Sequence, residues 1–186
     1  MSVQFAKHYF TIHDYERMGE TGILPHTKRY ELIEGEIIEM PPIGSRHAAC
    51  VCQLNQSLHH QVADTVIVSV QNPIVLDDFS EPQPDIALLK PRADFYRDKH
   101  PAAADVLLVI EVADTTLGFD RQVKMPMYAR AGIPEALIFN LPDEQLEYHA
   151  NPSNGVYQVT RILKRGETLA SSSVSGAVFD VAAIFG

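Results

Sequence analysis

Three side chains in this sequence have the types and the setting to act on a phosphodiester with the help of a hard cation. Asp85 follows Pro84 and opens the apolar run Ile86-Ala87-Leu88-Leu89. Glu111 ends a second run, Val106-Leu107-Leu108-Val109-Ile110. Lys124 comes later, on a segment with helical spacing. A Glu is rarely buried without a partner. Taking an ionised carboxylate out of water is costly unless a cation, a proton or a donor compensates. A metal shared with Asp85 would compensate Glu111, and a salt bridge to an arginine is the structural alternative. Mg²⁺ or Mn²⁺ takes oxygen ligands, commonly one or two carboxylates plus waters. The backbone carbonyl of Val112 is a third candidate ligand. Such a metal lowers the pKa of a bound water and offsets charge on the transition state. Lys124 would orient that water or neutralise the phosphate. Taken singly, a strand-start Asp is ordinarily exposed and a helical Lys ordinarily solvated, so the weight lies in the combination.

The other candidates come from the N-terminal part. Glu31 and Glu34 sit on a hairpin, and either can join the metal shell. His47 falls in the first turn of a helix, where the dipole disfavours a cationic imidazole, so a surface position is expected. His59 and His60 are adjacent and point apart, and no HxxxH spacing argues for zinc. The chain has no P-loop, GxGxxG, GxSxG, HExxH or EF-hand pattern.

These residues need elements to position them. Thr11 and Asp14 have capping-box spacing, which predicts a short helix after Thr11. Tyr30 to Met40 alternates around Gly35 and predicts a β-hairpin. Ser45 caps a helix on which Ala48, Val51, Cys52, Leu54, Leu58 and Val62 recur at about 3.6-residue spacing. Strands are expected at 65–70, 73–76, 86–89, 105–112 and 135–141. A turn falls at 77–82 and a polar connection with a helical turn at 92–104. The segment 120–131 is the next helix candidate. Pro126 inside it removes one helical hydrogen bond, so the turn before it must be irregular or the helix must start late. If the helix holds, Lys124 and Tyr128 share a face, with Tyr128 expected in the core. Residues 145–149 and 156–163 pair antiparallel around Asn151 to Gly155, and Asp180 caps a last short helix, 181–185. Ser171-Ser172-Ser173 reads as a polar turn. Interleaved helices and strands with hairpins at both ends predict an α/β (α+β) fold, a mixed sheet flanked by helices.

Composition bounds the rest. The 186 residues suit one domain spanning 1–186, and a hydrophobic fraction of 46% can build a core. The N-terminus lacks a signal-peptide apolar region and no run approaches a membrane span, so a cytoplasmic protein with no membrane partner is expected. Cys50 and Cys52, two apart on a helix, are expected to be packed and reduced. The net charge of −9 weighs against tight non-specific binding to nucleic acid but leaves room for a nuclease with a local basic rim. Lys90, Arg92, Arg97, Lys99 and His100 form the densest basic stretch, which is either that rim or a solvated loop.

The ordered set Tyr30-Glu31-Leu32-Ile33-Glu34-Gly35-Glu36, His47, Pro84-Asp85-Ile86, Glu111-Val112-Ala113-Asp114, Lys124 and Tyr128-Ala129-Arg130-Ala131-Gly132-Ile133 resembles the Uma-type putative restriction endonuclease family, a branch of the PD-(D/E)XK nuclease superfamily. The resemblance covers roughly residues 10 to 185. It implies a restriction-endonuclease-like core, often paired as a homodimer, and Mg²⁺-dependent hydrolysis of DNA with Asp85 and Glu111 as metal ligands. The superfamily pattern places its lysine two residues after the acid, where this chain has Ala113. The resemblance therefore implies a lysine migrated to the following helix, Lys124, and an assisting carboxylate, Glu31. Besides a metal-dependent endonuclease, the same residues suit a catalytically inactive nuclease-fold protein used for binding or assembly, or a hydrolase of small phosphoesters.

Overall fold

The computed structural model describes residues 6–185. Its centre is a six-stranded mixed sheet, built from β3 (Ile67–Val70), β4 (Ile86–Leu89), β5 (Val106–Ala113), β6 (Glu135–Asn140), β7 (Gln145–Ser153) and β8 (Val156–Leu163) in that spatial order. Only β5 and β6 run parallel; every other neighbouring pair is antiparallel. A parallel pair needs a crossover, commonly helical, and here the chain from 117 to 130 supplies it. Strands β4 and β6 are buried at every position, which is why they read as continuous apolar runs rather than as alternation.

Two apolar layers sandwich this sheet. On one face lie α2 (Ser45–Val62), α5 (Val181–Phe185) and a hairpin of β9 (Thr168–Ala170) and β10 (Val178–Asp180), packed on Leu108, Ile110, Val112, Leu137 and Phe139. On the other, Met125, Met127, Tyr128, Ile33 and Ile74 pack on Ala87, Val109 and Ile138. The crossover therefore covers the same face as the N-terminal hairpin, β1 (Tyr30–Ile33) with β2 (Glu36–Glu39). A first helix, α1 (Ile12–Glu20), begins with the expected capping box between Thr11 and Asp14.

The β1–β2 turn is two residues long, Glu34 and Gly35, with φ of 49° and 79°. That is the primed geometry whose twist matches the flanking strands. The β7–β8 hairpin uses the same device at Asn154-Gly155, so β7 runs further than expected, through Asn151 and Pro152 to Ser153.

Other expectations change in the fold. The helix cap at α2 is Gly44, and Ser45 is already helical. Residues 73–76 form no strand; Val75 makes an isolated bridge to Ala102, its N–H donating to Pro101 O at 2.8 Å and its carbonyl accepting from Ala103 N–H at 2.9 Å. With Pro73 at its head the run cannot supply a full ladder. Thr65 and Val66 close the end of α2 through Val62 O before β3 starts. Cys50 is buried but Cys52 is exposed, since residues two apart on a helix face different directions.

Candidate active site

The site lies where β1, β4, β5 and the crossover meet. The crossover is helical throughout: α3 (Leu117–Phe119), a π-turn over Asp120–Lys124, then α4 (Met125–Arg130). Met125 N–H reaches back to Asp120 O, one residue further than in an α-helix. The widened turn precedes Pro126, which has no N–H to give and whose ring would crowd a regular turn. This is the irregular turn the proline demanded. Arg121 anchors it from outside, with a fork of bonds at 2.5–3.1 Å to the buried carboxylate of Glu147 on β7.

The π-turn buries Asp120 and Lys124 together. Lys124 is only 2% exposed. Its Nζ stands 3.2 Å from Oε1 and 3.1 Å from Oε2 of Glu31 and 3.2 Å from Oε1 of Glu111. Burial works to strip the ammonium of its proton. Glu111, Glu31 and Asp120 outweigh burial and hold its pKa above the ordinary value. Lys124 is thus a buried cation and donor.

Glu111 is reached by Tyr128, whose hydroxyl donates to Oε1 at 2.6 Å. Burial pushes the Glu111 carboxyl up to about 8; Lys124 opposes the rise, while Asp120, Asp85 and Glu31 add to it. Asp120 is raised for the same first reason, burial, relieved by Lys124 and by the hydroxyl of Thr116, which donates at 2.7 Å. Four acids around one ammonium leave the site short of positive charge.

Asp85 is held differently. Val112 N–H donates to Oδ2 at 2.9 Å, Gln71 Nε2 donates to Oδ1 at 3.1 Å, and His47 Nε2 lies 2.9 Å from Oδ2. With its proton on Nε2 the imidazole is a third donor. Burial alone would raise this carboxyl, yet His47 and the other donors hold it below the usual range. Asp85 is therefore ionised without help from Lys124. Antiparallel pairing of β4 with β5 reaches Ile86–Ile110. The N–H and C=O of one strand residue point to the same edge, so the Val112 carbonyl lies on the Asp85 side, beyond that pairing.

Asp85, Glu111, Lys124 and Glu31 all line one cavity of about 150 Å³, with Val112, His47 and Asp120. Glu34 does not join them; it sits in the β1–β2 turn at positive φ and pairs on the surface with Arg130. His47 is half-buried against Asp85, not on the surface, because the start of α2 abuts the start of β4. Asp120, which the sequence shows only as the first residue of a helix, is part of the cluster because the π-turn rotates it inward. The basic stretch does not reach the cavity; Arg92 pairs with Asp94 and lies 4.4 Å over the Tyr96 ring, and Lys90, Arg97, Lys99 and His100 are exposed.

Among the described residues no group of three His, Cys, Asp or Glu side chains is arranged to hold a metal ion. Mg²⁺ needs fewer, since it retains waters and is content with one or two carboxylates. Asp85 and Glu111 offer two and Val112 a carbonyl. Oε2 of Glu31 is buried without an aligned hydrogen bond, and it shares the Lys124 ammonium, 3.1 Å away, with Glu111. The donor set fits a hard cation.

Comparison with known proteins agrees with this architecture. A crystal structure of a putative nuclease belonging to DUF820 from Anabaena variabilis ATCC 29413 superposes with a TM-score of 0.68 at 15% identity, covering 95% of this chain and 97% of that one. At that identity the likeness speaks for the fold. No curated protein matches the chain. The Uma2 family, described as putative restriction endonuclease, matches residues 12–182. The span takes in the hairpin, Asp85, Glu111 and the crossover, and the chain belongs to the Uma2 family.

Proposed function

We propose that this protein hydrolyses phosphodiester bonds in DNA with Mg²⁺ or Mn²⁺. The observation that carries the reading is Lys124, buried and within 3.2 Å of both Glu31 and Glu111, in the cavity that Asp85 also lines. Asp85, Glu111 and the Val112 carbonyl would hold the cation. When bound, it acidifies a water and offsets charge gathering on the phosphate. Lys124 keeps its proton and so acts as a donor and a positive charge, aimed at the attacking water or a non-bridging oxygen. Glu31 holds the ammonium from its far side. Tyr128 orients Glu111, and His47 and Gln71 orient Asp85. A homodimer, which the family resemblance implies, is part of the proposal, as are the cytoplasmic location expected from the sequence and a single catalytic domain over 1–186.

The test is incubation with supercoiled plasmid and with single-stranded DNA, with Mn²⁺ and with EDTA. Cleavage should need the metal and fall in Asp85→Asn, Glu111→Gln and Lys124→Ala. Full metal-dependent activity in all three variants would remove this assignment. Mn²⁺ binding by calorimetry without cleavage of any probe would favour a binding or assembly module on the same fold.

A further inference from the structure

We infer that Arg29 is a phosphate-binding residue at the mouth of the cavity, gripping the DNA strand whose backbone enters it. The inference rests on the hydrolase reading and adds to it the residue that holds the substrate. Among the described residues, Lys124 and Arg29 are the only Lys or Arg residues lining the cavity, and Lys124 is already engaged by two acids. Arg29 immediately precedes β1, and its carbonyl accepts from Met40 N–H at 2.9 Å, extending the hairpin pairing. Side chains two apart on a strand share a face, so Arg29 lies on the same side as Glu31. The backbone is therefore pinned by the element that places Glu31.

The side chain is free where its neighbours are not. Lys28 pairs with Glu39 and Arg130 with Glu34. Arg46, in the first turn of α2, donates to Leu141 O at 3.1 Å. Among the described residues the guanidinium of Arg29 has no hydrogen bond and no ion pair, although it is half-buried and shares its cavity with five acids, Glu31, Asp85, Glu111, Asp114 and Asp120. A planar fork of donors that lines the cavity and pairs with none of its carboxylates suits an incoming oxyanion, and phosphate matches its geometry. The charge balance points the same way. A chain of net charge −9 needs a local cation to admit a polyanion to an acidic recess.

The experiment uses fluorescein-labelled oligothymidylate of twelve residues, read by anisotropy in EDTA between 50 and 200 mM salt, with cleavage of the same probe in Mn²⁺. Arg29→Ala should weaken binding on the order of 10-fold and lower the slope of log K against log salt by about 0.7, one single-strand phosphate contact. Arg29→Lys should restore the slope but not the full affinity, because the ammonium is a point charge rather than a fork. In cleavage, Arg29→Ala should raise KM with kcat within a few-fold. Mn²⁺ affinity should not change, which separates a substrate contact from a metal ligand. Equal affinity, slope and KM in wild type and Arg29→Ala would overturn the inference while leaving the hydrolase standing. An Arg29-dependent slope in a wild-type protein that never cleaves would support Arg29 and sink the hydrolase. A wild type with no measurable affinity for the oligonucleotide would overturn both.

Discussion

Lys124 and Tyr128 converge on a single oxygen, Oε1 of Glu111, the ammonium at 3.2 Å and the phenol at 2.6 Å. They lie one helical turn apart and clamp the carboxylate from the same side of the crossover. Removing the ammonium leaves Glu31 and Glu111 buried without their shared cation. Lys124→Ala should therefore cost about 3–5 kcal/mol in urea unfolding and lower cleavage by roughly 100-fold or more. Tyr128→Phe removes one buried hydrogen bond, should cost about 1–3 kcal/mol, and should leave cleavage measurable. Wild-type stability in both variants would contradict the clamp.

His47 stands behind Asp85 as the donor that fixes its carboxylate. Partners of this kind are commonly worth about 10–100-fold in metal affinity. Titrating His47→Ala with Mn²⁺ in a calorimeter should show a loss of that order with the fold intact by circular dichroism. An unchanged dissociation constant would mean that Val112 N–H and Gln71 alone suffice.

Gly35 shapes the turn that carries Glu31 into the cavity. Its φ of +79° already disfavours a side chain, and an added Cβ would sit 2.6 Å from Cβ of Tyr9. Gly35→Ala should destabilise the protein by about 1–2 kcal/mol from the left-handed backbone alone, more with the clash, and should reduce cleavage through Glu31. Thermal unfolding with a parallel plasmid assay reads both effects. A variant as stable as wild type would show that the hairpin can repack.

Glu81 makes stability depend on pH away from the site. It is buried with Oε2 lacking a hydrogen-bond partner, and burial, with Glu16 nearby, pushes its carboxyl up to about 7 from 4.5. The folded state thus holds this proton more tightly than the unfolded state. No cost arises below about pH 4.5, stability falls as pH rises towards 7, and the penalty stays constant above that. Glu81→Gln should match wild type near pH 4 and exceed it by about 1–2 kcal/mol at pH 8. Urea midpoints across that range give the comparison, and parallel curves for the two proteins would refute it.

Much of the frame was legible because local pattern and burial agree there. Strands β4, β5 and β6 announce themselves as apolar runs since the sheet is covered on both faces, and α2 shows its buried stripe at Val51, Leu54, Leu58 and Val62. The Asp85, Glu111 and Lys124 set stood out for the same reason: polar groups at the ends of apolar segments. What escaped depends on contacts far apart in sequence. Asp120 looks like any helix-start acid until the π-turn buries it. His47 looks like a surface residue until α2 is docked against β4. The three serines after Ala170 read as a polar turn. In the fold, Ser171, Ser172 and Ser173, with Tyr148, surround the fully buried carboxylate of Glu135 and hold it below its usual range against the effect of burial. Nothing in a run of serines names its acceptor.

The widened turn at Asp120–Lys124 makes the chemistry sensitive to chain length as well as to residue type. Deleting Gln122 would discard no side chain of the cluster and could restore an ordinary helix. It would also swing everything beyond by about 100° and shift it by about 1.5 Å relative to Leu117. The ammonium and the phenol could then no longer both meet Glu111 while Asp120 kept its place. Phase along the crossover, counted in single residues, is what brings Lys124 to Glu31 and Glu111.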